Sequence, residues 1–128
     1  MQTPTSTDAG AGWPTEWMRG ALAVCVLHVI ADGPTYGYAI ASALADAGLG
    51  TVKGGTLYPL LGRLEEAGLV SVEWRAGEGG PGRKFYALTP AGEEEHRRQV
   101  THWLAFADVT SSFVHDSALA QPSRKEPS

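Results

Sequence analysis

GGTLYPLLGRLEEAGLVSVEWRAGEGGPGRKFYALTPAG, residues 54–92, passes through three kinds of patterning without a break. Leu57, Leu60, Leu61 and Leu64 recur at helical spacing, which predicts a helix over about 54–67 with one buried leucine face, closed by Gly68. Pro59 is best tolerated in a first turn, so the regular helix is expected to begin nearer Thr56 than Lys53. LVSVEW (69–74) then alternates with a period of two, as a strand does. RAGEGGPG (75–82) reads as a hairpin tip and RKFYAL (83–88) as the returning strand. Thr89-Pro90 follows as a helix start, a cap hydroxyl with proline at the first helical position. Glu93, Glu94 and Glu95 come next, where the helix dipole favours anions.

Two helices precede this stretch. From Trp17 to about Ala31, Met18, Leu22, Cys25, Val26, Val29 and Ile30 recur at steps of three and four, while Val24 and Leu27 extend the apolar character round the helix, which must be buried by more than one neighbour. Asp32-Gly33-Pro34 ends it. Thr35 is placed to cap a second helix, roughly 36–47, with Tyr36, Ile40, Leu44 and Ala47 as its stripe. The last helix is expected to run to about His115. Val100, Trp103, Ala107, Thr110 and Val114 follow near-heptad spacing along it, with Leu104, Phe106 and Phe113 alongside. That exceeds what a domain of this size can cover, and a second copy of the chain is the economical partner.

The fold class is therefore mainly α with a small β-hairpin: a winged helix-turn-helix plus a long C-terminal dimerisation helix. The expected divisions are a disordered N-terminal arm at 1–14, the winged helix-turn-helix at 15–89, the dimerisation helix at 90–116 and a disordered tail at 117–128.

Composition narrows the function. The chain has 128 residues, 43% of them apolar, and a net charge of −4. Residues 17–92 hold six basic and six acidic groups, so the acidity lies outside the middle of the chain. Overall acidity neither proves nor excludes DNA binding, because a locally basic face is enough for phosphate contact. No apolar run is long enough for a membrane span, and the first residues carry no secretory-signal pattern, so a cytoplasmic protein is expected. Cys25 alone supports neither a disulfide framework nor a cysteine-rich zinc site, and it reads as core rather than a redox sensor. His28, His96, His102 and His115 do not share a metal-ligand spacing, and no metal or cofactor is expected. No phosphate-binding glycine loop, nucleophile elbow or metal motif argues for an enzyme.

In the recognition helix of such a fold, Lys53, Gly55, Thr56, Tyr58 and Arg63 are the candidates for the major groove and its phosphates. Tyr58 is equally open to partly buried packing, and Arg63 to an ion pair with Glu65 or Glu66. Tyr38, early in the second helix, is assigned to the core. Arg83 and Lys84 flank a glycine-rich wing tip suited to phosphate or minor-groove contact, against which Glu78 acts slightly; the alternative is a solvated charged strand end.

GPTYGYAIASAL (33–44), GGTLYPLLGRLEEAGLV (54–70), GGPGRKFYALTPAG (79–92) and the following helix with Trp103 resemble the PadR-type transcriptional regulators over about residues 17–116. The short length resembles members with one C-terminal helix. Lys53 is a departure, since the family often has a small hydroxyl residue there. The resemblance implies a homodimeric, sequence-specific regulator of double-stranded DNA, a repressor on a palindromic operator. It implies Tyr36, at the start of the second helix, as a phosphate contact. It also implies a small aromatic effector held near paired Trp103 side chains, with Trp17, Ala23, Val24, Val100 and Ala107 as further walls or dimer contacts; Trp103 is equally open to simple packing of the dimer core. The alternative is a ligand-binding or protein-interaction winged-helix module without DNA binding, which the neutral middle of the chain keeps open.

Overall fold

The computed structural model describes residues 12–77 and 79–119. Four helices and a three-stranded sheet follow in the order α1 (Thr15–Ile30), β1 (Thr35–Tyr36), α2 (Gly37–Asp46), α3 (Gly54–Glu66), β2 (Val70–Gly77), β3 (Gly80–Leu88) and α4 (Pro90–Leu119). Among these residues no helix is long and apolar enough to cross a membrane. The outer parts of the expected arm and tail, 1–11 and 120–128, and Glu78 at the wing tip lie outside the described residues.

One core joins all three layers. Leu22, Val26, Leu27 and Ile30 of α1 meet Ile40 and Leu44 of α2, the leucines of α3, and Val70 and Tyr86 of the sheet. α1 is buried on several sides, as its broad apolar circumference requires, because α2, β3 and α4 all pack on it. Burial also pushes the Cys25 thiol up from its ordinary range, which keeps it protonated and chemically quiet.

Several boundaries depart from expectation. Thr35 does not cap α2: it pairs with Tyr86, and Tyr36 with Phe85, so the expected two-stranded hairpin is a sheet in the order β1-β3-β2. Tyr38 is not core but 73% exposed, because it projects on the side of α2 opposite Ile40. Ala47, expected in the buried stripe, is the exposed residue following α2. α3 starts at Gly54 rather than near Thr56, so Pro59 sits inside the helix and leaves the Gly55 carbonyl without its usual donor. The hairpin strands continue through most of the expected tip, with Arg75 opposite Arg83, a bulge after Arg75 and Gly77 opposite Gly80. Residues 12–14 of the expected arm are docked through the Trp13 indole N–H, which donates to the Gly48 carbonyl at 2.9 Å.

The end of α3 and the start of α4 are tied together. Gly68, at φ +78°, reverses the chain so that the Gly68 and Leu69 N–H groups close on the Glu65 and Leu64 carbonyls. The Thr89 hydroxyl donates to the Gly68 carbonyl at 2.7 Å and accepts from the Gly92 N–H at 3.0 Å. The helix stop and the helix start thus share one knot. α4 then runs 30 residues to Leu119, about 45 Å at 1.5 Å per residue and beyond the expected limit at 116.

Candidate nucleic-acid interface

α3 is amphipathic in the manner a reading helix needs. Leu57, Leu60, Leu61 and Leu64 anchor it in the core, and the opposite face carries exposed Gly55, Pro59 and Gly62. Those small residues let another surface approach the backbone closely. Lys53 occupies the N-cap position with extended backbone and makes no side-chain cap; its carbonyl accepts from the Thr56 and Leu57 N–H groups. The Gly54 and Gly55 N–H groups therefore have no intrahelical acceptor, and with the helix dipole they favour a phosphate oxygen. Lys53 and Thr56 are exposed beside them. Glu66 projects from the far end of the same helix, which concentrates the anion-binding character in the N-terminal half.

Arg63 has no carboxylate within salt-bridge distance among the described residues, so the expected alternative of an ion pair with Glu65 or Glu66 does not form. Glu65 instead lies 4.0 Å from the Lys84 ammonium. Tyr58 is 52% exposed, yet its phenol packs directly over Gly37 at the start of α2, so part of it is committed to packing.

Arg83 and Lys84, adjacent in sequence, leave opposite faces of β3. The Arg83 guanidinium lies over the Tyr36 ring at 4.5 Å, Tyr36 packs on Phe85 at 5.2 Å, and Arg75 covers Phe85 at 4.3 Å. This outer-face stack of two cations and two rings fixes Arg83 and Tyr36 together. Arg75 and Phe85 are its unforeseen members; their alternation with Arg83 in a hairpin register is the signal that would have revealed them. Lys84 turns the other way, 5.8 Å from the Tyr86 ring and towards Glu65. Burial, followed by the charges of Tyr58 and Glu65, pushes the Tyr86 phenol up, so it stays neutral under the wing. Thr56 and Lys84 thus occupy two flanks of one helix, with its exposed face between them.

The expected dimer and effector residues divide. Trp17 and Val24 follow each other on one face of α1, with His28 further along. His28 Nδ1 lies 3.0 Å from His96 Nε2 of α4, which fixes where the two helices cross. Val24 is buried within one chain. Ala23 is turned away from that face: it lines a cleft with Lys53, Gly55, Thr56 and Arg63, which separates it from the other expected effector contacts. On α4, Val100 and Ala107 are half-buried and Trp103, packed at 5.8 Å on Phe106, is 36% exposed. Leu104, Phe106, Val109, Phe113 and Val114 are exposed beyond it; all but Val109 belong to the expected stripe and its flanks.

The model of the PadR-like transcriptional regulator family matches residues 26–98, from within α1 to the first turns of α4. The chain belongs to that family. Its members are transcriptional regulators rather than enzymes. The regulator Rv3488 of Mycobacterium tuberculosis is 40% identical over 77 residues, a match covering 60% of this chain and 70% of that protein. Among solved structures, a PadR family regulator from Eggerthella lenta superposes with a TM-score of 0.69 at 36% identity, covering 78% of this chain and 87% of the other. A PadR-like regulator from Bacillus cereus gives 0.70 at 28% identity, with 77% and 96% covered. The PadR match spans α3 and the wing and stops where the exposed part of α4 begins.

Proposed function

We propose that this PadR-family regulator acts as a homodimeric, sequence-specific repressor on a palindromic operator in the cytoplasm, and that a small aromatic effector releases it. The observation that carries the reading is the exposed side of α3, where unmatched N–H groups with Lys53 and Thr56 at its start and Arg63 in its last turn border exposed Gly55, Pro59 and Gly62. Placed in the major groove, that face brings Thr56 and Tyr58 to base edges while Lys53 and Arg63 hold phosphates. The wing adds Arg83 and Tyr36 to the backbone contacts, with Lys84 weakened by its sharing with Glu65. The apolar arc of α4 supports pairing of two chains, which sets two reading helices about one helical turn of DNA apart. Trp103 and its mate, with Trp17, Val100 and Ala107 around them, form the effector walls. A ligand favouring one spacing of the two heads lowers affinity for an operator that demands another.

Selection of bound duplexes from a random pool, followed by affinity measurement against a scrambled duplex, tests the reading. A recovered palindrome bound at least about 1,000-fold more tightly than scrambled DNA is expected. Retained dimerisation with no DNA binding would return the chain to the alternative of an interaction module. Arg83→Ala with Lys84→Ala should weaken binding to every duplex and reduce the slope of log affinity against log salt by up to about 2. An unchanged slope removes both residues from the phosphate contacts.

A further inference from the structure

Beside the recognition helix lies a cleft of about 610 Å³, bounded by the N-terminal half of α1, the residues leading into α3 and the Thr56–Arg63 flank of α3. Its size is within the ~300–1,000 Å³ typical of sites for small organic ligands. Met18, Leu22, Leu49 and Leu60 contribute apolar surface. Trp13 also lines it, its indole anchored on the Gly48 carbonyl. The charge on the walls is one-sided: Arg19, Lys53 and Arg63 line the cleft, and no carboxylate among the described residues does. None of the three has an ion-pair partner among the described residues.

Three cations, from α1, the N-cap of α3 and its last turn, lining one partly apolar hollow with no carboxylate among the described residues, have a definite ligand preference. A neutral apolar molecule would leave them unmatched, and an inorganic ion would leave the hollow unfilled. We propose that the cleft binds a small organic anion, one acidic group on a compact apolar body, and that the anion competes with DNA. The acid is held by Arg19 and Arg63 with Lys53 at the rim, and the apolar body lies against Leu22 and Leu60. The competition rests on the DNA-binding reading given above, since Lys53, Gly55 and Thr56 belong both to the cleft and to the reading face. The site is distinct from the effector position at Trp103, which is not among the cleft residues.

Proton–nitrogen NMR of the full chain, titrated with 2-naphthoate and separately with neutral 2-naphthylmethanol, tests the site. The Trp13 indole N–H should shift with 2-naphthoate, and the alcohol should bind at least about tenfold more weakly. Arg19→Ala, an exposed helical position, should weaken 2-naphthoate about tenfold without altering the alcohol, and Arg19→Lys should restore most of the loss. Equal binding of acid and alcohol, or a shift at the Trp103 indole with Trp13 silent, would overturn the site. In a second arm, 2-naphthoate should displace a bound duplex, with Arg19→Ala raising the concentration required. Retention of the duplex at saturating 2-naphthoate would overturn the competition. Absence of DNA binding before any 2-naphthoate is added would instead overturn the DNA reading, leaving the anion site to be judged by the indole shift.

Discussion

Two glycines separate what is structural from what is functional at the level of single residues. A Cβ at Gly92 would collide with the Leu69 carbonyl, which belongs to the backbone knot between α3 and α4 and cannot give way cheaply. A Cβ at Gly37 would collide with the phenol of Tyr58, the far end of a half-exposed side chain that can swing outward. Gly92→Ala should therefore cost about 1–3 kcal/mol in urea unfolding, the usual range for overpacking, and Gly37→Ala clearly less. In a Tyr58→Ala background the cost of Gly37→Ala should vanish; a cost that persists would show that Tyr58 is not the obstacle. Neither constraint was legible in the sequence, where both glycines look like ordinary helix-end residues. Tyr38 was legible and misread: two positions before Ile40, it falls on the opposite side of any helix that buries Ile40. The leucines of α3 were fully readable, because four of them at three- and four-residue steps leave one possible buried face.

The elements were readable wherever a period could be displayed. α1, α3, the hairpin and α4 each run long enough to show one. β1 has two residues, too few for any period, and its partners Phe85 and Tyr86 lie some fifty positions on, so only the folded chain reveals it. The start of α4 was explicit in Thr89-Pro90, and the structure adds that the same hydroxyl reaches back to Gly68. Thr89→Ala should lose about 1–2 kcal/mol, the upper part of the N-cap range, because both bonds disappear; a loss below about 0.3 kcal/mol in urea unfolding would contradict the knot. The crossing of α1 and α4 responds to pH. Burial, then His28 and Arg97, holds His96 below its ordinary pKa of 6.5. The folded chain therefore resists protonation of His96 while the unfolded chain accepts it. Stability conferred by the neutral ring is full above that ordinary value and is lost as pH falls from it towards the lowered one. Melting temperature should drop between pH 7.5 and 5.5, and His96→Gln should reduce the drop; parallel curves for both chains would show that His96 is not responsible.

At the scale of the molecule, two surfaces lie uncovered among the described residues. The reading face of α3 is polar and small-featured, while the distal half of α4 carries Leu104, Phe106, Val109, Phe113 and Val114 into solvent. The near-heptad line through Val100, Trp103 and Ala107 was visible in the sequence. So were its flanking Leu104, Phe106 and Phe113; Val109, which falls off that line, was added by the structure. Phe113, 70% exposed, is dispensable to a single chain's core. Phe113→Asp should leave the fold intact but reduce the particle to the 13.5 kDa of one chain and lower operator affinity by about 100-fold, the advantage that paired heads confer. Unchanged association by light scattering would show that this part of α4 lies outside the interface.

On the function proposed above, two copies of this chain jointly read a symmetric DNA sequence through α3. Sedimentation of the protein with an operator duplex recovered from the random pool decides it. The predicted result is one complex containing two chains per duplex, formed at concentrations where a scrambled duplex of the same length sediments free. A complex with a single chain, or identical binding to both duplexes, would contradict it.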